Sequence, residues 1–258
     1  MGERPVAVIT LASGYVGPPL ARLLAGSGHD LVLHLPGNDR STMVAESESA
    51  TLVSELEDLG ASVETITGVD LTTREGNQAV IDAAINTFGR VDAACFITGS
   101  IITGRFLAAR DEHWDKLKAV NLDMVYYALQ AVLPPMVEAG RGQVIVFTSA
   151  TGARPEPMVS LYSSTRAGAN AMVRAVGLEH AKFGVTVNAI GTNYMDFPGF
   201  LAATGADDPE RRAVIEAQVP MRRLGTMDEL AEFTAVLLDG RSRFQTGQFF
   251  SFSGGWST

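Results

Sequence analysis

Residues 6–17 read VAVITLASGYVG, and this stretch decides the fold. Its first five residues are apolar enough for a buried β-strand, and they run into a turn that contains glycine. Residues 18–28 follow with leucines on one side of a helix. Strand, turn and helix in this order predict that the chain opens with a unit of a parallel α/β fold.

The same alternation of short strands and helices continues along the chain. We predict further strands at residues 31–35, 62–67, 91–98, 143–148, 186–190 and 248–252. We predict later helices at residues 45–59, 74–88, 111–138, 161–183, 210–218 and 228–238. Since no linker or repeat interrupts them, the pattern indicates one doubly wound α/β domain over residues 1–258, with a parallel seven-stranded sheet and helices on both faces. The longest irregular stretch, residues 191–209, follows the sixth strand at its carboxyl end, where ligands of such sheets bind.

The composition excludes several classes of protein. Of 258 residues, 46% are hydrophobic and 19% are charged, which is too apolar for a disordered chain. No apolar run reaches the roughly 18–20 residues of a membrane span. The start MGERPVAVIT holds no signal-peptide segment, so we expect a soluble, cytoplasmic protein. The single cysteine, Cys95, excludes a disulfide framework and is expected in the core, and the four histidines show no metal-ligand spacing. A net charge of -9 without a basic run excludes a nucleic-acid partner.

The turn after the first strand resembles that of the short-chain dehydrogenase/reductase family, whose usual pattern is T-G-x-x-x-G-x-G. Thr10 and Gly17 keep this spacing, whereas Leu11 and Tyr15 stand where the first two glycines belong. In a dinucleotide-binding turn those glycines let the backbone approach the pyrophosphate. A leucine and a phenol ring would occupy that space, which argues against a bound dinucleotide.

Three other segments also lack the nucleotide contacts of that family. Its N-N-A-G after the fourth strand reads F-I-T-G at residues 96–99, and its P-G after the sixth strand reads T-N at residues 192–193. The second strand ends without the acid that would hold the ribose hydroxyls, unless Asp39 reaches back. These losses together predict that the chain has no cofactor. They leave Asp70, which lies near adenine in the family, as a cap or turn residue ahead of the helix at 74–88.

The acid–base residues of the family are kept, in the spacing S-x12-Y-x3-R. Ser149 closes the fifth strand, and Tyr162 and Arg166 lie one turn apart on the next helix, so that they share a face. Arginine replaces the family's lysine, which contacts the tyrosine and the nicotinamide ribose, and an arginine that binds no ribose can still lower the pKa of the tyrosine. Each residue alone is compatible with a structural role, but together they predict a catalytic set. Asn121 matches the family's proton-relay asparagine, and we interpret it as a residue that bends the helix or supports the site from behind.

A narrower resemblance is to the halohydrin dehalogenases, which are cofactor-free relatives of these reductases. It rests on the aromatic residue in the first turn, on the triad spacing and on the segments AIGTNY (189–194) and GQFFSFSGG (247–255). The segments GYVGP and NYMDFPGF are most similar to the G-type branch. The resemblance implies reversible closure of vicinal haloalcohols to epoxides with release of halide. It also implies the opening of epoxides, internal and cyclic ones included, by azide, cyanide or nitrite.

The same resemblance implies a role for each site residue. Tyr162 is the base, Ser149 holds the substrate oxygen and Arg166 lowers the tyrosine pKa. The halide would lie where nicotinamide binds in the reductases, in a nest of backbone N–H groups and side chains. The residues of this halide nest are Tyr15, Thr192, Asn193, Tyr194 and Met195.

Two other functions remain open from the sequence. The first is an NAD(P)-dependent short-chain oxidoreductase with a degenerate turn, and the second is a non-catalytic relative that binds a ligand. We also expect a homotetramer, because related folds pair the helices at 111–138 and 161–183 with their counterparts. Small residues on these helices would permit close approach, namely Ala131, Ala167, Ala171 and Ala175.

Overall fold

The computed structural model describes residues 4–36 and 47–257, and in that part of the chain seven parallel strands form one sheet, as predicted. The strands are β1 (Val6–Ile9), β2 (Asp30–His34), β3 (Val63–Ile66), β4 (Ala93–Phe96), β5 (Gly142–Ser149), β6 (Val185–Thr192) and β7 (Phe249–Phe252). They pair in the order β3-β2-β1-β4-β5-β6-β7, so the strand order reverses between β1 and β4. Doubly wound sheets bind ligands in the crevice at such a reversal, outside the carboxyl ends of the strands.

Helices cover both faces of this sheet. They are α1 (Gly17–Gly26), α2 (Ser47–Asp58), α3 (Arg74–Phe88), α4 (Asp111–Lys118), α5 (Met124–Glu138), α6 (Ser160–His180), α7 (Pro198–Thr204), α8 (Pro209–Glu216) and α9 (Met227–Leu238). One cluster of buried apolar residues joins α1, α2 and α9 to one face of the sheet, and a second joins α3, α5 and α6 to the other. Cys95 lies in the first cluster, as expected of a core residue, and burial raises the pKa of its thiol.

The predicted helix at residues 111–138 consists of three segments. A π-helical turn over Ala119–Asp123 joins α4 to α5, and it holds one more residue than an α-helical turn. Periodicity did not locate this turn, because the segments on both sides are regular α-helix. A second difference is α7, which lies within the stretch predicted to be irregular. Pro198 at its first position favours this short helix.

Asp70 is a turn residue ahead of α3, which was one of its two predicted roles. Its carboxylate accepts hydrogen bonds from the backbone N–H and the hydroxyl of Thr72. The N-cap of α3 is Thr73, whose Oγ1 accepts from the Gly76 N–H at 3.0 Å. Asp39 lies outside the described residues.

The described residues lack two kinds of feature, a membrane-spanning helix and a metal site. No described helix is both long and apolar enough to cross a membrane. No group of histidine, cysteine, aspartate and glutamate side chains in the described ranges could hold a metal ion.

Candidate active site

Ser149 and Thr192 are the last residues of two neighbouring strands, β5 and β6, and they are register partners. Because both strands are buried along nearly their whole length, the core fixes the positions of their ends. Ser149 itself is buried. Its Oγ lies 2.9 Å from Thr151 Oγ1 and accepts a hydrogen bond from the Thr151 N–H at 3.1 Å. It also lies 3.5 Å from the carbonyl oxygen of Thr192. Thr151 was not predicted as part of the site, although it follows Ser149 by only two positions.

Tyr162 and Arg166 lie one turn apart on α6, and their side chains meet. The guanidinium carbon of Arg166 lies 5.4 Å from the centroid of the Tyr162 ring. Arg166 is 3% exposed, and its guanidinium donates to Thr98 Oγ1 at 2.9 Å and to the Thr98 carbonyl oxygen at 2.5 Å. The positive charge is therefore held inside the protein, beside the phenol ring and just beyond the end of β4. Sequence reasoning missed Thr98 as the partner of the guanidinium.

Gly99 and Asn121 shape the loop that receives this guanidinium. Gly99 has a φ of 106°, and a Cβ at this position would overlap the side chain of Arg166. Asn121 is completely buried in the π-helical turn. Its side-chain amide donates to the Ser100 carbonyl at 3.0 Å and accepts from the Ser100 N–H at 3.2 Å. Asn121 therefore supports the loop after β4 from behind, in agreement with its interpretation from the sequence.

Tyr15 crosses the crevice from the first turn to the end of β6. Its hydroxyl donates to Thr192 Oγ1 at 2.7 Å, and its ring packs edge-on against Phe147 and Phe197, with centroid distances of 5.9 and 4.9 Å. Burial raises the pKa of this phenol, so it stays protonated. Leu11 and Tyr15 have φ values of 50° and 54°, in the left-handed region that glycine adopts without strain. The turn thus keeps the backbone shape of a glycine turn after both glycines have been replaced.

His34 ties this first turn to the end of β2. Its Nδ1 accepts from the Leu11 N–H at 3.2 Å, and its carbonyl accepts from the Ala12 N–H at 2.9 Å. The side chain is buried, and burial lowers the pKa of the imidazole to about 4. A neutral imidazole therefore lies at the end of the strand where sequence reasoning looked for an acid. Its contact with the first turn was not predicted.

The residues predicted to form a halide nest do not all face the same space. Tyr15 and Thr192 are in contact through the hydrogen bond between their hydroxyl groups. The Tyr194 N–H, which was predicted as an anion donor, donates to the side-chain oxygen of Asn193 at 3.0 Å. The Tyr194 hydroxyl donates to Gln218 at 3.0 Å. Since its N–H is already bonded to the neighbouring side chain, Tyr194 is not an open anion donor in this arrangement.

A cleft of about 550 Å³ lies beside the segment that follows β6. Asn193, Tyr194 and Met195 contribute to its lining, together with residues of α9 and β7. The three predicted catalytic residues do not belong to that lining. A smaller cleft of about 190 Å³ lies where the loop after β4 meets the start of α6, close in sequence to Tyr162.

Comparison with known proteins places the chain among reductases and dehydrogenases. The family model described as enoyl-(acyl carrier protein) reductase matches residues 16–257. The chain is 28% identical over 255 residues to the 3-oxoacyl-[acyl-carrier-protein] reductase FabG of Vibrio cholerae, covering 98% of this chain and 97% of that protein. It is 27% identical over 260 residues to the D-beta-hydroxybutyrate dehydrogenase of Rhizobium meliloti, covering 97% and 98%. The crystal structure of acetoin dehydrogenase from Enterobacter cloacae matches with a TM-score of 0.84 at 26% identity, covering 98% of this chain and 96% of that one.

These comparisons confirm the resemblance to the short-chain dehydrogenases and reductases, whereas they do not show the narrower resemblance to the halohydrin dehalogenases. We expected a cofactor-independent carbon–halide lyase, a halohydrin dehalogenase, and this expectation is wrong, because the relatives found are named as oxidoreductases. The error has a simple origin. The narrower resemblance rested on the first-turn aromatic residue, the triad spacing and a few short segments, whereas the family model of the reductases matches residues 16–257.

Proposed function

We propose that this chain is an oxidoreductase that interconverts a hydroxyl and a carbonyl group of a small molecule. The chain belongs to the short-chain dehydrogenase/reductase superfamily and, within it, to the family described as enoyl-(acyl carrier protein) reductase. One observation carries the proposal. A buried serine hydroxyl ends β5, and a tyrosine beside a buried arginine lies on α6, the elements in which the reductases carry their acid–base residues, and this supports the proposal. The names of the relatives support the reaction class.

In this proposal Ser149 binds the oxygen atom that reacts. Its hydroxyl donates a hydrogen bond to the substrate oxygen, and the bond strengthens as negative charge develops there. Because Ser149 is the last residue of a fully buried strand, its position is set before the substrate arrives. A donor held in place in this way stabilises the charged oxygen without reorganisation.

Tyr162 carries the proton in both directions. It donates its phenolic proton to the substrate oxygen when a carbonyl is reduced, and it accepts the proton of the hydroxyl when an alcohol is oxidised. Arg166 supports this role through its charge. The guanidinium is buried beside the ring and fixed by Thr98, so it attracts the phenolate in surroundings that screen it less than water does.

A nicotinamide dinucleotide is the cofactor that this superfamily implies, and when bound it would supply or accept the hydride that accompanies the proton of Tyr162. The first turn fits this cofactor only in part. The backbone fits, because Leu11 and Tyr15 hold the left-handed conformation of the glycines that they replace. The side chains do not fit, because the Tyr15 phenol lies across the crevice and is bonded to Thr192. Arg166 is likewise bonded to Thr98 rather than left open for a ribose. A dinucleotide therefore binds only when the Tyr15 side chain leaves the crevice, and Ser149, Tyr162 and Arg166 keep the roles given above.

Steady-state turnover tests the proposal. The purified protein is assayed with NADH or NADPH against small ketones, and with NAD or NADP against the matching secondary alcohols, by the absorbance of the reduced nicotinamide. We expect turnover that falls at least about 100-fold in Tyr162→Phe, because the proton carrier is lost. Tyr126→Phe is the matched control, since this tyrosine is on the exposed surface of α5.

Two results would overturn the proposal. One is the absence of nicotinamide-dependent turnover with every ketone and alcohol. The other is release of halide from a vicinal haloalcohol without any nicotinamide, which is the reaction that the sequence alone suggested.

We also propose that the protein is a homotetramer, with one change to the predicted contact. Ala171 and Ala175 lie on the exposed side of α6, and Leu178 on the same helix is 68% exposed. Such a face is suited to packing against another copy. Ala131 is only 4% exposed and belongs to the core, so it cannot contribute to that contact.

A further inference from the structure

The hydroxyl of Ser149 is bonded twice by a single residue, Thr151. Ser149 is the N-cap of a 3-10 turn over Ala150–Gly152, and its Oγ accepts from the Thr151 N–H at 3.1 Å. The Thr151 hydroxyl lies 2.9 Å from the same Oγ. Thr151 is 5% exposed, so its hydroxyl does not exchange partners freely with bulk water.

Only one direction of the hydroxyl–hydroxyl bond leaves every proton with an acceptor. If Ser149 donated to Thr151, the Thr151 proton would be buried without a partner, because no other acceptor among the described residues lies within hydrogen-bond distance of Thr151 Oγ1. If Thr151 donates, the Ser149 proton can point to the Thr192 carbonyl, 3.5 Å away. Buried hydroxyl groups that lack a partner are rare and destabilising, which selects Thr151 as the donor.

This direction determines what Ser149 can do. A serine oxygen has two acceptor lone pairs and one proton. The N–H and the hydroxyl of Thr151 occupy both lone pairs, so Ser149 has only its proton left to offer. At 3.5 Å the Thr192 carbonyl is a weak acceptor, which a substrate oxygen can replace.

We propose that Thr151 is a positioning residue that makes Ser149 an obligatory hydrogen-bond donor toward the substrate oxygen. The proposal rests on the proposed function in one respect, namely that Ser149 binds the reacting oxygen. It adds a residue that does not itself touch the substrate.

The packing of the turn supports this role. A Cβ on Gly152 would lie 2.6 Å from the Asn170 side chain and 2.8 Å from the Arg166 backbone carbon. The turn therefore lies directly against α6, the helix that carries Tyr162. This close contact fixes the turn that carries Thr151 against the Arg166 turn of α6.

Measurements of kcat and KM for three variants test the inference, with the ketone that the wild type reduces best as substrate. In Thr151→Val the hydroxyl is removed while the shape of the side chain is kept, and we expect kcat to fall about tenfold, the size of one hydrogen bond, with KM nearly unchanged. Thr151→Ser keeps the hydroxyl and should restore most of the rate. The matched control is Thr186→Val at the opposite end of β6, where a buried hydroxyl has no hydrogen-bond partner among the described residues, and its kcat should equal that of the wild type.

Two kinetic outcomes would overturn the inference. One is a wild-type kcat in Thr151→Val. The other is a Thr151→Ser variant as slow as Thr151→Val although its melting temperature is that of the wild type, because a purely structural role would not depend on the hydroxyl.

Neutron diffraction from deuterium-exchanged crystals tests the inference without turnover. A deuterium on Thr151 Oγ1 that points to Ser149 is expected, and a deuterium on Ser149 that points to Thr151 would refute the inference. If the wild type turns over no ketone or alcohol, the proposed function fails, and the neutron map still decides the direction of this bond.

Discussion

Replacing Tyr15 by glycine should strengthen the binding of a nicotinamide dinucleotide. In the wild type the phenol ring lies in the crevice where the strand order reverses, so a dinucleotide that enters must displace it. Glycine removes the ring and retains the left-handed backbone at this position, where φ is 54°. The variant therefore presents the turn in the form that a pyrophosphate can approach.

The size of the effect follows from the contacts of the ring. Displacement breaks the hydrogen bond to Thr192, worth about 1 kcal/mol, and the edge-on packing on Phe147 and Phe197, worth about 1 kcal/mol each. A sum of about 3 kcal/mol corresponds to a Kd about 100-fold lower in Tyr15→Gly. Removal of a buried aromatic side chain costs about 3–5 kcal/mol, and glycine relieves about 1 kcal/mol of left-handed strain, so the free energy of unfolding should fall by about 2–4 kcal/mol.

Isothermal titration with NADH and NADPH measures the change directly. Tyr15→Phe serves as the matched variant, because it keeps the ring and loses only the hydrogen bond to Thr192, and its Kd should fall about fivefold. A Tyr15→Gly variant that melts cooperatively yet binds no more tightly than the wild type would show that the ring does not obstruct the dinucleotide.

Two further predictions concern the framework of the site, and a third concerns the oligomeric state. Gly99→Ala should lower the free energy of unfolding in urea by about 3 kcal/mol, because a Cβ at this position overlaps the Arg166 guanidinium and the φ of residue 99 is positive. Gly104→Ala is the control, and its free energy of unfolding should change little because the space around Gly104 is open. Unfolded histidine titrates near pH 6.5 and His34 in the folded protein near 4, so this residue makes the folded state less stable by about 1.4 kcal/mol for each pH unit below 6.5 until about pH 4. The acid slope of the wild type should exceed that of His34→Asn by about 1.4 kcal/mol per pH unit, because His29, whose pKa burial also lowers, contributes to the slope of both proteins. Equal slopes would contradict the assignment. Light scattering should give the mass of four chains, and a monomer at micromolar concentration would exclude the α6 contact.

The order of the elements could be predicted because each element carries its own apolar period. The strands β1 and β4 read as continuous apolar runs, and the leucines after the first turn show the helical spacing of α1. Ser149 and Tyr162 could be placed because each lies at or near the end of an element, so that locating the element located the residue.

The contacts within the site were beyond sequence reasoning because they join distant parts of the chain. Arg166 is bonded to Thr98, 68 positions away, and Leu11 is bonded to His34 across the space between β1 and β2. Neither contact could be predicted from a short spacing in the sequence. The activity was misjudged for a related reason, since the residues that fill the crevice were given more weight than the similarity of the remaining chain to reductases.

The π-helical turn over Ala119–Asp123 shifts the helical phase between α4 and α5, which it joins without a break. One additional residue rotates everything that follows by about 100° around the helix axis. α4 before the turn is mainly charged, with Leu117 buried, and α5 after it places an apolar face on the sheet. Deleting one residue from this turn would restore a regular helix and rotate that face away from the core. The turn that places Asn121 behind the site therefore also determines which face of α5 meets the sheet. Both the site and the packing of α5 constrain the length of this turn.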